Sequence, residues 1–181
     1  MRSNNRHRRG VKAMIRFATE QDVAGIVEIY NDAILNTTAV YKYEVETLQE
    51  RLEWLQQKEQ DGFPVLVFED GGEIAGFATY GLFRVYPAYR YTVENSVYVH
   101  PKHVRKGIAS KLMKALIEHA EHAGYKTIIA CIDMTNDASI VMHEKFGFMQ
   151  SGVIENAGYK FDRWLHLGLY QLQLTGPSQP K

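Results

Sequence analysis

One stretch of the sequence decides the fold: Val97-Tyr98-Val99-His100-Pro101-Lys102-His103-Val104-Arg105-Lys106-Gly107-Ile108-Ala109. It reads as the end of a strand, then a short basic loop, then the start of a helix. The free backbone N–H groups at a helix start, together with the helix dipole, attract a phosphate. Small residues at Gly107 and Ala109 would let that phosphate approach the backbone closely. Lys102, Arg105 and Lys106 add positive charge, so the stretch predicts a phosphate site; the alternative is an ordinary turn with a solvated basic rim.

The hydrophobic periodicity around this unit predicts a mixed α/β sheet of about seven strands with about four helices. Strands are expected at residues 15–18, 65–68, 74–80, 92–99, 126–132, 148–154 and 164–174. Helices are expected at residues 22–35, 47–61, 107–123 and 138–146. Thr19 with Asp22, and Thr47 with Glu50, have the spacing of capping boxes at the first two helices.

The chain of 181 residues is predicted to form one domain over residues 15–174. Residues 1–14 form a basic tail, which we interpret as disordered upstream sequence; the alternative is an arm that binds nucleic acid or membrane. Residues 175–181 form a polar tail. Lysine plus arginine and aspartate plus glutamate both number 21, so the overall charge gives no sign of a nucleic-acid partner.

The remaining composition excludes several classes of protein. Cys131 is the one cysteine, which excludes an intrachain disulfide and favours a reducing, cytoplasmic location. The longest uncharged stretch, residues 164–180, is too polar to span a bilayer, so we expect a soluble protein without a membrane partner. His119 and His122 share one helix side, but no further ligand completes a set, so we expect no metal. No P-loop or dinucleotide fingerprint occurs in the sequence.

The phosphate stretch resembles the acetyl-CoA pyrophosphate signature of the GNAT acetyltransferases, on the pattern Val99-x-Pro101-x-x-x-Arg105-x-Gly107-x-Ala109. A second block, Asn136-x-x-Ser139 followed by Phe146-Gly147-Phe148, is similar to another part of that family. Val104 departs from the family, which usually has glutamine or arginine there, so we expect the phosphate to be bound mainly by backbone donors. The resemblance, over residues 15–174, implies a GNAT fold, acetyl-CoA as the co-substrate, no metal and a homodimer.

Within that family the chain looks most like the phosphinothricin and methionine-sulfoximine acetyltransferases. The residues that carry this likeness are Ile29-Tyr30-Asn31, Thr92-Val93-Glu94-Asn95-Ser96-Val97-Tyr98-Val99, Asn136-Asp137, Met142-His143-Glu144 and Lys160-Phe161-x-Arg163-Trp164. The likeness implies acetyl transfer to the α-amine of a small amino acid or analogue, by direct attack in a ternary complex. The alternatives are a protein or peptide N-terminal acetyltransferase and a non-catalytic acyl-CoA sensor.

Two residues are candidates for proton transfer. The reaction needs a base for the ammonium, donors for the oxyanion and an acid for the thiolate. Glu94 is the predicted base, because its strand leads into the phosphate loop; the alternative is a structural ion pair with Arg84 or Arg90. His143 stands where many GNAT enzymes have a tyrosine thought to protonate the thiolate, and the phosphinothricin-type enzymes resemble this chain in having histidine there. The alternative is a capping or core histidine.

Substrate contacts are predicted in the aromatic loop before the Glu94 strand. Arg84 and Arg90 could bind a carboxylate, although a solvated loop arginine is the default. Tyr98 faces the same side of its strand as Glu94, so it either contacts the substrate or packs. The predicted substrate-binding residues are Arg84, Pro87, Ala88, Tyr89, Arg90 and Tyr98.

Cofactor contacts are predicted on both sides of that strand's end. The resemblance implies that the backbone of Val97, Tyr98 and Val99 binds the pantetheine arm and offers an N–H to the thioester oxygen. Asn136 and Ser139 could bind a pantetheine amide or cap the following helix. The predicted cofactor-binding residues are Val97, Tyr98, Val99, Arg105, Lys106, Gly107, Ile108, Ala109, Ser110, Asn136 and Ser139.

Overall fold

A computed structural model of the chain describes residues 13–179. In these residues, seven strands form one mixed sheet in the order β1-β2-β3-β4-β5-β7-β6. The strands are β1 (Met14–Phe17), β2 (Val65–Asp70), β3 (Glu73–Leu82), β4 (Thr92–Val99), β5 (Thr127–Asp133), β6 (Met149–Lys160) and β7 (Arg163–Gln173). The helices are α1 (Val23–Asn36), α2 (Leu48–Gln60), α3 (Ile108–His122) and α4 (Asp137–Lys145). This order of elements confirms the predicted fold class.

Element boundaries differ from the predictions at the two ends of the sheet. Met14 pairs with Glu69 in β1, so the domain begins inside the predicted basic tail; residues 1–12 and 180–181 lie outside the described residues. β6 continues to Lys160, far beyond residue 154, where the strand was predicted to end. The register with β7 shifts between Ile154 and Gly158, a bulge that interrupts the alternating pattern on which the prediction depended.

The helices cover the two faces of the sheet and enclose two main cores. α3 buries Leu112, Met113 and Leu116 against one face of the sheet. α1 and α2 pack on the opposite face, where Ile26 and Leu55 contact the same cluster of buried residues. No helix within residues 13–179 is long and apolar enough to cross a membrane.

The middle of the sheet opens between β4 and β5. β4 pairs with β3 along its whole length, from Leu82↔Val93 to Gly76↔Val99. It pairs in parallel with β5 only from Thr92↔Thr127 to Glu94↔Ile129. Beyond Glu94 the two strands are no longer paired, and a cavity lies between them. The sheet thus positions the candidate site at the point where its central strands separate.

Candidate active site

The cavity between β4 and β5 has a volume of about 400 Å³. Its walls are residues 94–98 of β4, residues 130–133 of β5, and side chains of α4 and of the loop between α1 and α2. A second cavity of about 540 Å³ shares Val97, Tyr98 and Asn136 with the first and extends to Val99 and Val104. The two cavities therefore connect Glu94 with the loop that precedes α3.

The register of β3 and β4 decides which backbone groups of β4 face this opening. His100 N–H donates to the carbonyl of Ala75 at 2.9 Å, and hydrogen-bonded pairs recur at every second residue of an antiparallel ladder. The backbone of Tyr98 is therefore paired with β3, whereas the N–H and C=O groups of Val97 and Val99 point into the opening. The prediction of a backbone contact at Tyr98 is corrected, because its backbone is used by β3, and its ring packs against Tyr30 and Phe77.

Glu94 is half-buried and faces the cavity with its carboxylate. Burial raises the pKa of Glu94, while the Cys131 hydrogen bond and the charges of Arg84 and Lys58 act in the opposite direction. Burial and the neighbouring carboxylate raise the pKa of Cys131 to about 12, so this thiol is the hydrogen-bond donor of the pair. A carboxylate whose pKa is raised by burial is a stronger base than an exposed one.

His143 is buried beside Asn95, and its partners define its tautomer. His143 Nδ1 lies 2.8 Å from the carbonyl oxygen of Ser139, so Nδ1 carries the proton. Nε2 lies 3.0 Å from Asn95 Nδ2 and accepts from that amide. Burial lowers the pKa of His143, which favours the neutral ring. In this tautomer Nε2 has no proton for a thiolate, so the geometry favours the core-histidine alternative.

Asn95 carries an acceptor that has no partner within the described residues. Its Oδ1 atom is buried and makes no hydrogen bond there, while Nδ2 is used by His143. Asn95 also lines the cavity, so a buried acceptor without a partner among the described residues lies beside the site.

The predicted phosphate loop forms an open N-terminus of α3. Gly107 is the N-cap residue with a left-handed φ of 73°, and nothing lies within 4 Å of the position that a Cβ would take there. The first backbone bond of the helix runs from Lys111 N–H to the Gly107 carbonyl at 3.1 Å. The N–H groups of residues 108–110 precede it and have no partner inside the helix. A phosphate fits this open, donor-rich and basic cradle.

Asn136 and Ser139 act as the cap of α4 and also line the cavity. Asn136 Oδ1 accepts from the Ser139 N–H at 3.2 Å, which confirms the capping alternative. The Ser139 hydroxyl lies 3.4 Å from His143 Nδ1. Both side chains belong to the wall opposite the loop between α1 and α2.

The structure places only part of the predicted substrate set on the cavity. Arg84 and Tyr98 line it. Pro87–Tyr89 form an exposed 3-10 turn that carries the loop away from the cavity. Arg90 is also exposed and stacks on the ring of its neighbour at 4.9 Å, outside the cavity lining. Of the two arginines, Arg84 is therefore the one in position to contact a bound acceptor.

Sequence reasoning missed Tyr41, Cys131 and Asp133 as cavity residues. Buried residues alternate along β5 at Ile128, Ala130 and Ile132, so the alternation could have placed Cys131 and Asp133 on the other face, with Glu94. Tyr41 comes from an irregular loop, and no local pattern in the sequence indicates where its ring lies.

Comparison with known proteins agrees with this geometry. Residues 24–148 match the acetyltransferase (GNAT) family. The chain is 42% identical over 166 residues to the L-methionine sulfoximine/L-methionine sulfone acetyltransferase of Salmonella typhimurium, covering 92% of this chain and 97% of that protein. The solved N-acetyltransferase from Staphylococcus aureus Mu50 is 50% identical with a TM-score of 0.90, covering 91% and 99% of the two chains.

A second solved relative has a bound cofactor. The GNAT superfamily phosphinothricin acetyltransferase from Sinorhizobium meliloti, in complex with AcCoA, is 31% identical with a TM-score of 0.89, covering 93% of this chain and 92% of that one. These matches confirm the predicted GNAT fold and the likeness to the phosphinothricin and methionine-sulfoximine enzymes. This chain belongs to the acetyltransferase (GNAT) family.

Proposed function

We propose that this protein transfers the acetyl group of acetyl-CoA to the α-amine of a small amino acid or analogue. The observation that carries the proposal is the opening between β4 and β5, which runs from Glu94 to Val99 and Val104, just before the donor-rich start of α3. Relatives named for methionine sulfoximine, methionine sulfone and phosphinothricin support this acceptor class. A relative in complex with AcCoA supports the cofactor.

Acetyl-CoA would lie along the opening from α3 to Glu94. Its pyrophosphate would accept from the N–H groups of Ile108, Ala109 and Ser110, with Arg105 and Lys106 neutralising charge. The pantetheine arm would bond the free backbone groups of Val97 and Val99 as an added strand does. This arrangement brings the thioester into the opening between β4 and β5, next to the half-buried Glu94.

The chemistry we propose is direct attack without a covalent enzyme intermediate. Glu94 takes a proton from the acceptor ammonium, directly or through a water molecule, and the neutral nitrogen attacks the thioester carbon. The C–N bond forms and the C–S bond breaks, and the second proton of the attacking nitrogen passes through water to the departing thiolate. N–H groups at the exposed edge of β4 stabilise the oxyanion. We assign His143 to holding Asn95 in place rather than to protonating the thiolate.

Arg84 is the proposed contact for the acceptor carboxylate. It lines the cavity and lies close enough to Glu94 for its charge to lower the pKa of that carboxyl. A guanidinium suits a carboxylate because its N–H donors match the two oxygens. An acceptor bound this way presents its α-amine beside Glu94.

A second copy of this chain is the proposed partner, in line with the predicted homodimer. β6 is an edge strand of the sheet, and apolar side chains on it and on the following turn and strand are exposed. These side chains are Met149, Val153, Ile154, Tyr159, Phe161 and Trp164. An exposed edge with apolar side chains is typical of an interaction surface.

We also expect the enzyme to work in the cytoplasm, where a free thiol such as Cys131 stays reduced.

A thiol-release screen tests the proposed function. Acetyl-CoA is offered with L-methionine sulfone, L-methionine sulfoximine, phosphinothricin, the natural amino acids and short peptides. We expect thiol release with at least one free amino acid or analogue, and an N-acetyl product by mass spectrometry. Release with peptides only would favour an N-terminal acetyltransferase. Binding of acetyl-CoA without release with any amine would favour an acyl-CoA sensor.

A further inference from the structure

One wall of the active-site cavity is an irregular segment, residues 37–47, which we name the acceptor loop. Its Thr38, Ala39 and Tyr41 line the cavity opposite the side chains of α4. The loop has no regular secondary structure of its own, so its shape depends on bonds made to other elements. Three consecutive residues at the end of β6 supply such contacts.

Lys160 makes the strongest of these contacts. Its side chain is buried, with the residue 6% exposed, and its ammonium donates to three backbone carbonyls. Nζ lies 2.5 Å from the Ile34 oxygen, 2.9 Å from the Thr37 oxygen and 2.7 Å from the Val40 oxygen. All three donors of the ammonium are used, and two of the carbonyls lie in the acceptor loop. Lys160 therefore joins the end of α1 to the cavity wall.

Gly158 supports the same loop through the absence of a side chain. A Cβ at this position would lie 2.7 Å from both Cδ2 and Cε2 of Tyr41, so the ring packs directly on the glycine. Tyr41 lines the cavity together with Asp133 of β5. Burial and the charge of Asp133 raise the pKa of its hydroxyl. Tyr159, which lies between Gly158 and Lys160, also contacts the loop: its carbonyl accepts from the Tyr43 hydroxyl at 2.5 Å.

We propose that Lys160 and Gly158 are positioning residues that fix the acceptor loop and so set which acceptor amines fit the cavity. The proposal rests on the proposed function and goes beyond it, because neither residue lines the cavity. Loss of the Lys160 ammonium would leave three carbonyls without their donor and release the loop. A methyl group at Gly158 would push the ring of Tyr41 while leaving the Lys160 bonds in place.

Steady-state kinetics of Gly158→Ala and Lys160→Met test this assignment. We expect the KM for the acceptor to rise by about tenfold or more in each variant, with the KM for acetyl-CoA within about twofold of wild type. Gly152→Ala is the matched control, because it lies in the same strand and its added Cβ would meet nothing within 4 Å. An unchanged acceptor KM in folded Gly158→Ala, or an equal rise in Gly152→Ala, would overturn the proposal.

Hydrogen exchange gives a readout that does not depend on activity. In Lys160→Met the amides of residues 37–47 should exchange faster than in wild type, while those of β3 and β4 keep their protection. If the acceptor screen found no amine substrate, the proposed function would fail while this measurement still reported on the loop. Unchanged exchange in residues 37–47 of a folded Lys160→Met protein would contradict the role of Lys160.

Discussion

Asn95 Nδ2 lies 3.0 Å from His143 Nε2, and this buried contact holds the imidazole in the tautomer that presents no proton to the cavity. A protonated ring would direct an N–H at the N–H₂ group of Asn95, so charging His143 would require the amide to turn over. The lowered pKa of His143 has burial as its main cause and agrees with this arrangement. The histidine therefore fixes the position of Asn95, a residue that lines the cavity.

The first prediction concerns stability and pH. Because the pKa of His143 is lowered in the folded state, the unfolded chain binds its proton more readily as pH falls below about 6.5. The stability that depends on neutral His143 is thus present above that pH and is lost as pH falls toward the folded-state pKa. Thermal unfolding of His143→Gln should show a weaker loss of Tm between about pH 7 and pH 5 than wild type. The exposed His122→Gln variant is the control and should follow wild type; parallel curves for all three would contradict the buried neutral state.

The second prediction concerns the base. Glu94→Gln keeps the shape of the side chain and removes its basicity, so kcat should fall by about 10²–10⁴-fold with acetyl-CoA affinity nearly unchanged. Activity should partly recover at high pH, where the acceptor amine is already neutral. In wild type, kcat should fall on the acidic side as the raised pKa of Glu94 is crossed, and this limb should be absent in the variant. A wild-type kcat for Glu94→Gln at neutral pH would show that another group or bulk water takes the proton.

The third prediction separates the two loop arginines. Arg84→Met removes the guanidinium from the cavity wall, so the KM for an amino-acid acceptor should rise by about tenfold or more. Arg90→Met removes a guanidinium from the same loop but outside the cavity, and its KM should stay within about twofold of wild type. Equal effects of the two substitutions would mean that the KM for the acceptor depends on the charge of the loop rather than on a contact from Arg84.

The fourth prediction concerns the phosphate loop. Gly107→Glu places a carboxylate in the open space at the start of α3, where it would block and repel the pyrophosphate of acetyl-CoA. Gly124→Glu is the control, since Gly124 also has a left-handed φ, of 80°, with nothing within 4 Å of its added Cβ, and lies just past the other end of α3. Both variants place a side chain at a left-handed φ, but calorimetric titration should show weakened acetyl-CoA binding only for Gly107→Glu. An unchanged affinity for acetyl-CoA in a folded Gly107→Glu protein would show that this loop does not bind the pyrophosphate.

The sequence was sufficient for those features that depend on neighbours along the chain. The strand from Thr92 to Val99 was predicted with the bounds that the structure shows, because side-chain alternation and Pro101 mark its ends. The start of α3 was predicted from Gly107 and the helical spacing of the apolar residues that follow it. Both features are local, and together they placed the candidate base and the phosphate cradle on one continuous segment.

Features that depend on contacts distant in sequence could not be predicted. Which of Arg84 and Arg90 lines the cavity depends on the direction of an exposed 3-10 turn. The tautomer of His143 depends on Asn95, which approaches it from another element of the fold. The position of Tyr41 depends on Gly158, and that of its loop on the buried Lys160, both at the end of β6. The bulge in β6 interrupts the side-chain alternation, so the end of this strand could not be predicted.

The most direct test of the central claim compares one acceptor in two forms. Wild-type enzyme is given acetyl-CoA and either L-methionine sulfone or its carboxamide, which keeps the α-amine and removes the carboxylate. If the enzyme acetylates small amino acids and Arg84 binds their carboxylate, kcat/KM for the free acid should exceed that for the amide by about tenfold or more. Thiol release that is equal for the two forms, or absent for both while acetyl-CoA binds, would contradict the account.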